Sequence, residues 1–195
     1  MTRPPHESGV REAICRVGRD LHRSGLVAGT AGNLSVRLDG SHALVSPRGH
    51  RKDRLSSEDL VRLDLTASSD DETLAQATTE WPLHRACYEA DHSVRAVIHS
   101  HAPALTAVGI RRLDLTQALP EIGLAVGRIV RLPFAPSGSE ALGAAVGAAV
   151  AEGGSVLLLA GHGVVAVGET LDEALDRTEM AELAAKAVLW GTTGD

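Results

Sequence analysis

Apolar residues recur along this chain with two different periods, and the places where the period changes mark out its elements. Val10, Ile14, Val17 and Leu21 repeat at helical spacing, which predicts an amphipathic helix over residues 8–23 that stops at Ser24-Gly25. The pattern then turns to alternation. Leu34, Val36 and Leu38 are separated by polar residues and read as a strand, and Asp39-Gly40 is a hairpin turn into H-A-L-V-S. L-S-S-E-D-L reads as one helical turn and V-R-L-D-L as a further alternating strand, while residues 66–77 are polar, weakly patterned and read as a surface loop. A helix is predicted from about Thr79 to Ala90, carrying Glu80 at its start and Pro82 in its first turn, where a missing N–H is tolerated. Its buried stripe is Leu83, Ala86, Cys87 and Ala90.

V-R-A-V-I-H-S-H follows as a strand, and Ala102 to Val108 as a short helix opened by Pro103. Residues 110–127 have no decisive period, although Glu121 lies there in an apolar setting. R-I-V-R-L-P-F is a strand, and G-S-E-A-L-G-A-A-V-G-A-A-V-A is a helix of small residues suited to close packing. S-V-L-L-L-A has no polar face and reads as a strand buried on both sides. It runs into Gly161-His162-Gly163 and V-V-A-V-G. Thr170 with Glu173 forms a capping box that opens a last helix, running to about Trp190. No repeat or linker divides the pattern, so residues 1–195 read as one α/β domain.

Composition narrows the function. At 195 residues, 44% hydrophobic and 23% charged, the chain can bury a substantial core. A net charge of -6 with only 2% aromatic residues argues against a nucleic-acid groove, which needs a basic surface and stacking rings. Cys15 and Cys87 are too few for a disulfide framework, which fits a cytoplasmic protein. No apolar signal core opens the chain, and the greasiest region, residues 141–159, is broken by Glu152 and several glycines, so no membrane partner is expected.

The chemistry concentrates between Thr78 and His101. Residues two apart on a strand share a face, so H-S-H puts His99 and His101 side by side, able to close on one ion. His162, flanked by glycines, offers a third imidazole, and three neutral imidazoles are a catalytic zinc's protein ligands. Glu80 is placed to be a fourth ligand, an acid/base, or each in turn. His84, four residues on, shares a helical face with it and reads either as a partner that orients Glu80 or a metal ligand, or as plain packing. Gly29 to Asn33 reads either as a tight turn or as an anion cradle of bare backbone. Arg48, in the basic run S-P-R-G-H-R-K-D-R, is either a solvated turn residue or an anchor for an anionic ligand. His22, His42, His50 and His92 read as ordinary surface residues.

G-T-A-G-N-L-S-V-R, S-P-R-G, T-T-E-W-P-L-H-R-A-C-Y, A-V-I-H-S-H-A and G-H-G-V-V-A-V-G, in this order and spacing, resemble the class II aldolase/adducin family over about residues 8–190. The resemblance implies a three-layer fold, a central mainly antiparallel sheet flanked by helices. It implies one zinc per chain, with substitution by manganese or cobalt left open, and a homotetramer with active sites between subunits. By position, His99, His101 and His162 match the zinc ligands, and Glu80 matches a carboxylate that binds metal and then serves as general acid/base. Gly32 and Asn33, Arg48 and Gly49, and Thr78 and Thr79 match the substrate-phosphate anchors. Arg48 stands where the family has a small hydroxyl residue, which leaves carboxylate as well as phosphate open as the anion. The family's proton-transferring loop tyrosine falls near Leu119. The implied activity is aldol and retro-aldol chemistry on a small sugar phosphate or related anionic hydroxy-ketone, through a metal-stabilised enediolate. Epimerisation of the L-ribulose-phosphate type, decarboxylation and dehydration are alternatives at the same site, and a non-catalytic module like the adducin head is a further one.

Overall fold

The alternating stretches pair into one seven-stranded sheet in a computed structural model, which describes residues 7–65, 72–115 and 122–191. In chain order the strands are β1 (Asn33–Arg37), β2 (His42–Val45), β3 (Val61–Asp64), β4 (Ala96–Ser100), β5 (Arg128–Leu132), β6 (Gly154–Leu159) and β7 (Gly163–Gly168). Their spatial order is β3-β2-β1-β4-β7-β6-β5. Every pairing is antiparallel except β5 with β6, so the expected mainly antiparallel sheet is what forms. The helices are α1 (Glu7–Arg23), α2 (Glu72–Gln76), α3 (Trp81–Ala90), α4 (Pro103–Arg111), α5 (Ile122–Ala125), α6 (Glu140–Ala151) and α7 (Leu171–Gly191). Among the described residues, no helix is long and apolar enough to cross a membrane.

Strand alternation divides the core in two. Leu34, Ile98, Val164 and Leu158 face one side and pack with Ile14, Val17 and Leu21 of α1, with α4 and with α7. Val97, Val165, Leu157 and Leu63 face the other and pack with α3 and α6. The two helices on that second side touch closely. A side chain at Gly143 would approach the Pro82 carbonyl oxygen to 3.0 Å, and one at Gly147 the Ala86 Cβ to 3.3 Å. The small residues of α6 thus bring it against the start of α3. At the far end, Thr170 Oγ1 accepts from the Glu173 N–H (3.1 Å), which is one half of the expected capping box; the Glu173 carboxylate accepts from the Glu169 N–H (2.7 Å), one residue before the N-cap.

Three expectations need correction. The helix expected from Thr79 begins at Trp81, and Glu80 stands at its N-cap position with a non-helical backbone (φ -93°, ψ 14°). Pro82 fits only in a first turn, and that fixes the start. The loop expected over 66–77 contains α2, and Ala77 bridges to Pro47 in antiparallel fashion. A five-residue helix is held by such contacts rather than by its own period. The stripe of α3 is also different: Trp81, His84 and Tyr88 are buried beside Leu83 and Cys87, whereas Ala86 and Ala90 are only partly covered. Leu119 and Glu121 lie outside the described residues.

Candidate metal centre

The parity of β4 decides where its histidines go. Val97 faces α3, so His99, two residues on, faces α3 too, and His101 follows just beyond the strand end. β7 is the neighbour of β4, and His162 sits on the turn that enters it. Two glycines make room at this point. Gly32 has φ +73°, and a Cβ there would come within 2.8 Å of the His99 carbonyl oxygen and 2.7 Å of Val27 Cγ1. At Gly163 a Cβ would collide with the Ser100 carbonyl and stand 3.1 Å from the His101 ring and 3.2 Å from the His99 ring.

The result is a tight cluster. One ligand atom from each of Glu80, His99, His101 and His162 lies within 4.8 Å of all the others. His99 Nε2 is 3.0 Å from His101 Nε2 and 3.0 Å from Glu80 Oε2, and His162 Nε2 is 3.2 Å from Glu80 Oε1. The ring centroids stand 4.7 to 5.3 Å apart. Four donors about 2.0–2.1 Å from a tetrahedral zinc lie roughly 3.3–3.4 Å from each other, so only small shifts separate this cluster from coordination.

Proton placement points the same way. His99 Nδ1 lies 3.0 Å from the Val164 carbonyl oxygen, which can only accept, so Nδ1 carries a proton and Nε2 is the nitrogen turned toward Glu80 as a metal ligand. Burial, with His99 and His162 nearby, pushes His101 down to about 4, so that it is neutral and can offer a lone pair. A carboxylate and three imidazoles converge here in a buried space, each with an atom able to bind one cation. The donor set fits a divalent metal ion.

Glu80 is 5% exposed. Burial alone would raise its pKa, but hydrogen bonds to His162, His99 and Asn33 outweigh that and hold the carboxyl well below the usual range. Each carboxylate oxygen has one neutral donor besides an imidazole. Ser137 Oγ donates to Oε1 (2.8 Å) and Asn33 Nδ2 to Oε2 (3.0 Å). The backbone N–H of Glu80 reaches Thr78 Oγ1 at 3.3 Å.

The other expected site residues are placed as follows. His84 is fully buried and bonds the amide oxygen of Asn33, so it reaches Glu80 through Asn33 and not directly. Asn33 is 5% exposed, and both ends of its side-chain amide are engaged inside the protein. Arg48, Thr78 and Thr79 share a cleft of about 240 Å³ with Trp81, Arg85 and Glu140, immediately before Glu80 in the chain. Gly32 and Gly49 both have positive φ; Gly32 is packed beneath His99, and the space around Gly49 is open. Sequence reasoning missed Ser137. It comes from the loop after β5, and P-S-G-S carries no signal that would aim it at a carboxylate.

Comparison with known proteins agrees with this geometry. Residues 12–189 match the family described as Class II Aldolase and Adducin N-terminal domain. The chain is 34% identical over 183 residues to the 3-oxo-tetronate 4-phosphate decarboxylase of Haemophilus influenzae, covering 90% of this chain and 85% of that one. It is 31% identical over 169 residues to the L-fuculose phosphate aldolase of Methanococcus maripaludis, covering 87% and 88%. The crystal structure of l-fuculose-1-phosphate aldolase from Thermus thermophilus superposes with a TM-score of 0.84 at 30% identity, covering 95% of this chain and 97% of that one.

Proposed function

The chain belongs to the class II aldolase and adducin family, and from that premise we propose that it is a zinc-dependent lyase breaking the bond between the carbons α and β to the carbonyl of a small sugar phosphate, by retro-aldol chemistry. The observation that carries this reading is the convergence of Glu80, His99, His101 and His162 within 4.8 Å, with the carboxylate inside the cluster. A divalent cation held by the three imidazoles supplies Lewis acidity toward the substrate's carbonyl and neighbouring hydroxyl oxygens.

The chain's own residues do the rest. Glu80, released toward the substrate, moves the proton to and from the carbon left with the electron pair. Asn33 and Ser137 hold one oxygen each, so the carboxylate keeps its orientation as its protonation changes. The cleft lined by Arg48, Thr78 and Thr79 takes the anionic end, with Arg48 offering a guanidinium fork suited to phosphate or carboxylate. Gly49 follows Arg48 in the chain, with open space around it. Related enzymes named for sugar-phosphate chemistry support this substrate class.

Decarboxylation is a second reading, favoured by one observation. The chain has a single tyrosine, Tyr88, and it is fully buried against Ser35, outside the metal cluster. Retro-aldol cleavage needs an acceptor for a hydroxyl proton, whereas loss of carbon dioxide does not. The 34% identical relative is named a decarboxylase.

The enzyme is further proposed to act as a homotetramer in the cytoplasm, with sites at subunit interfaces. The exposed apolar side chains of Leu124 (94%), Phe134 (72%) and Trp190 (72%) support an assembly of subunits. A screen of ketose phosphates and phosphorylated 3-oxo acids with product identification tests the reaction. Two carbon fragments are expected for aldol cleavage and carbon dioxide for the second reading; loss of water, or an epimer alone, would overturn both.

A further inference from the structure

Behind Glu80 the polar groups form a line that alternates between β1 and α3. Asn33 and Ser35 lie two apart on one face of β1, and His84 and Tyr88 lie four apart on one face of α3, so the two periods mesh. Asn33 Oδ1 meets His84 Nε2; His84 Nδ1 meets Ser35 Oγ at 2.7 Å; Ser35 Oγ meets the Tyr88 hydroxyl at 2.6 Å. All four residues are buried, three of them completely.

The direction of every bond is fixed from one end. A carboxylate only accepts, so Asn33 must turn its NH₂ to Glu80 and its oxygen to His84. His84 then carries its proton on Nε2. Complete burial pushes its pKa down to about 3, so the ring is neutral and Nδ1 is a bare acceptor. Ser35 must donate to Nδ1, and Tyr88 must donate to Ser35. Tyr88 can do so because burial raises its pKa and keeps the phenol protonated. An apolar pair between the strand and the helix would fill this space without burying four polar groups. What the polar line adds is a unique orientation of one amide.

We propose that Tyr88, Ser35 and His84 form a one-way hydrogen-bond chain that locks the Asn33 amide with its NH₂ toward Glu80, making His84 a positioning residue for the carboxylate of the metal site. The proposal rests on the metal-site reading above. It assigns the Asn33 side chain to the acid/base group instead of to the substrate's anion.

Titration of the metal-free full chain with Co²⁺, followed by its visible absorption, tests it. His84→Leu severs the line and is expected to weaken Co²⁺ binding about 10–100-fold. His84→Gln, which keeps a donor for Asn33 and an acceptor for Ser35, should recover most of that loss. In a Glu80→Ala background, where three imidazoles remain, His84→Leu should cost no further affinity. An equal loss in both backgrounds would make the line merely structural and overturn the proposal, leaving the metal site intact. A wild-type chain that binds no Co²⁺ would remove the metal site and the proposal together. A measurement on the unmutated protein guards against misfolded variants: ¹⁵N NMR of histidine-labelled chain should show His84 neutral with its proton on Nε2. A proton on Nδ1 would reverse the line and refute the assignment.

Discussion

His99 Nε2 lies 3.0 Å from Glu80 Oε2, while the other nitrogen of the His99 ring donates to the Val164 carbonyl oxygen. A buried carboxylate beside three converging imidazoles is a seat for a divalent cation. Zinc at about a hundredfold excess over its dissociation constant should therefore stabilise the metal-free protein by about 2.7 kcal/mol. For a chain of this size that is a rise of about 5–10 °C in Tm. Differential scanning calorimetry with and without chelator checks it, and a Tm indifferent to zinc, manganese and cobalt alike would count against the site.

Glu80→Gln keeps the shape of the side chain and an oxygen for the metal, but it cannot carry the proton. Turnover of the substrate identified by the product screen should fall about 10²–10⁴-fold. Zinc content, measured by elemental analysis, should stay near one per chain. Undiminished turnover would remove Glu80 from the chemistry.

Gly163→Ala should damage the site without touching a ligand. The added methyl meets the Ser100 carbonyl and the rings of His99 and His101. Overpacking of this kind costs about 1–3 kcal/mol, and here it is spent on moving two imidazoles. Reduced zinc content together with a lower Tm is expected; full zinc content would mean that the turn relaxes freely.

Arg48→Ala should separate binding from chemistry. Arg48 is exposed and lines the cleft with Thr78 and Thr79, outside the metal cluster. KM for a phosphorylated substrate should rise about tenfold or more, with kcat changed little. A fall in kcat at unchanged KM would place Arg48 in the reaction itself.

Lys52 gives a pH signature. Its ammonium is buried at 2% exposure, donating to the carbonyl oxygens of Thr30 (3.0 Å) and His50 (2.6 Å), and burial pushes its pKa down to about 8 from 10.5. The unfolded chain therefore holds this proton more tightly than the folded one between about pH 8 and 10.5. Folded stability from this group rises with pH across that window, by up to about 3 kcal/mol. Lys52→Met has no such proton to lose. Denaturant melts at several pH values should show wild type gaining on the variant as pH rises from 8 to 10; parallel curves would contradict the assignment.

Much of this architecture was legible because the apolar period is local. Leu34, Val36 and Leu38 announced a strand, Val10 to Leu21 a helix, and H-S-H two rings on one face, each from its own spacing. What escaped depends on partners far along the chain. Asn33, Ser35 and Arg37 look like the wet side of β1, and only the arrival of His84 and Tyr88 from α3 shows that this side is buried. Arg37 confirms it by donating to the Tyr88 carbonyl and lying over the Tyr88 ring. Ser137 reaches Glu80 across 57 positions of sequence, a distance no period encodes.

The glycine seam between α6 and α3 reaches beyond packing. Gly143 and Gly147 rest on Pro82 and Ala86, and α3 carries Glu80 at its tip, so the thickness of α6 acts as a shim beneath the carboxylate. An engineer retuning this scaffold for a new ligand should leave that seam alone and vary the rim at Arg48. One extra methyl in the seam would tilt the acid off its target while every ligand stayed in the sequence.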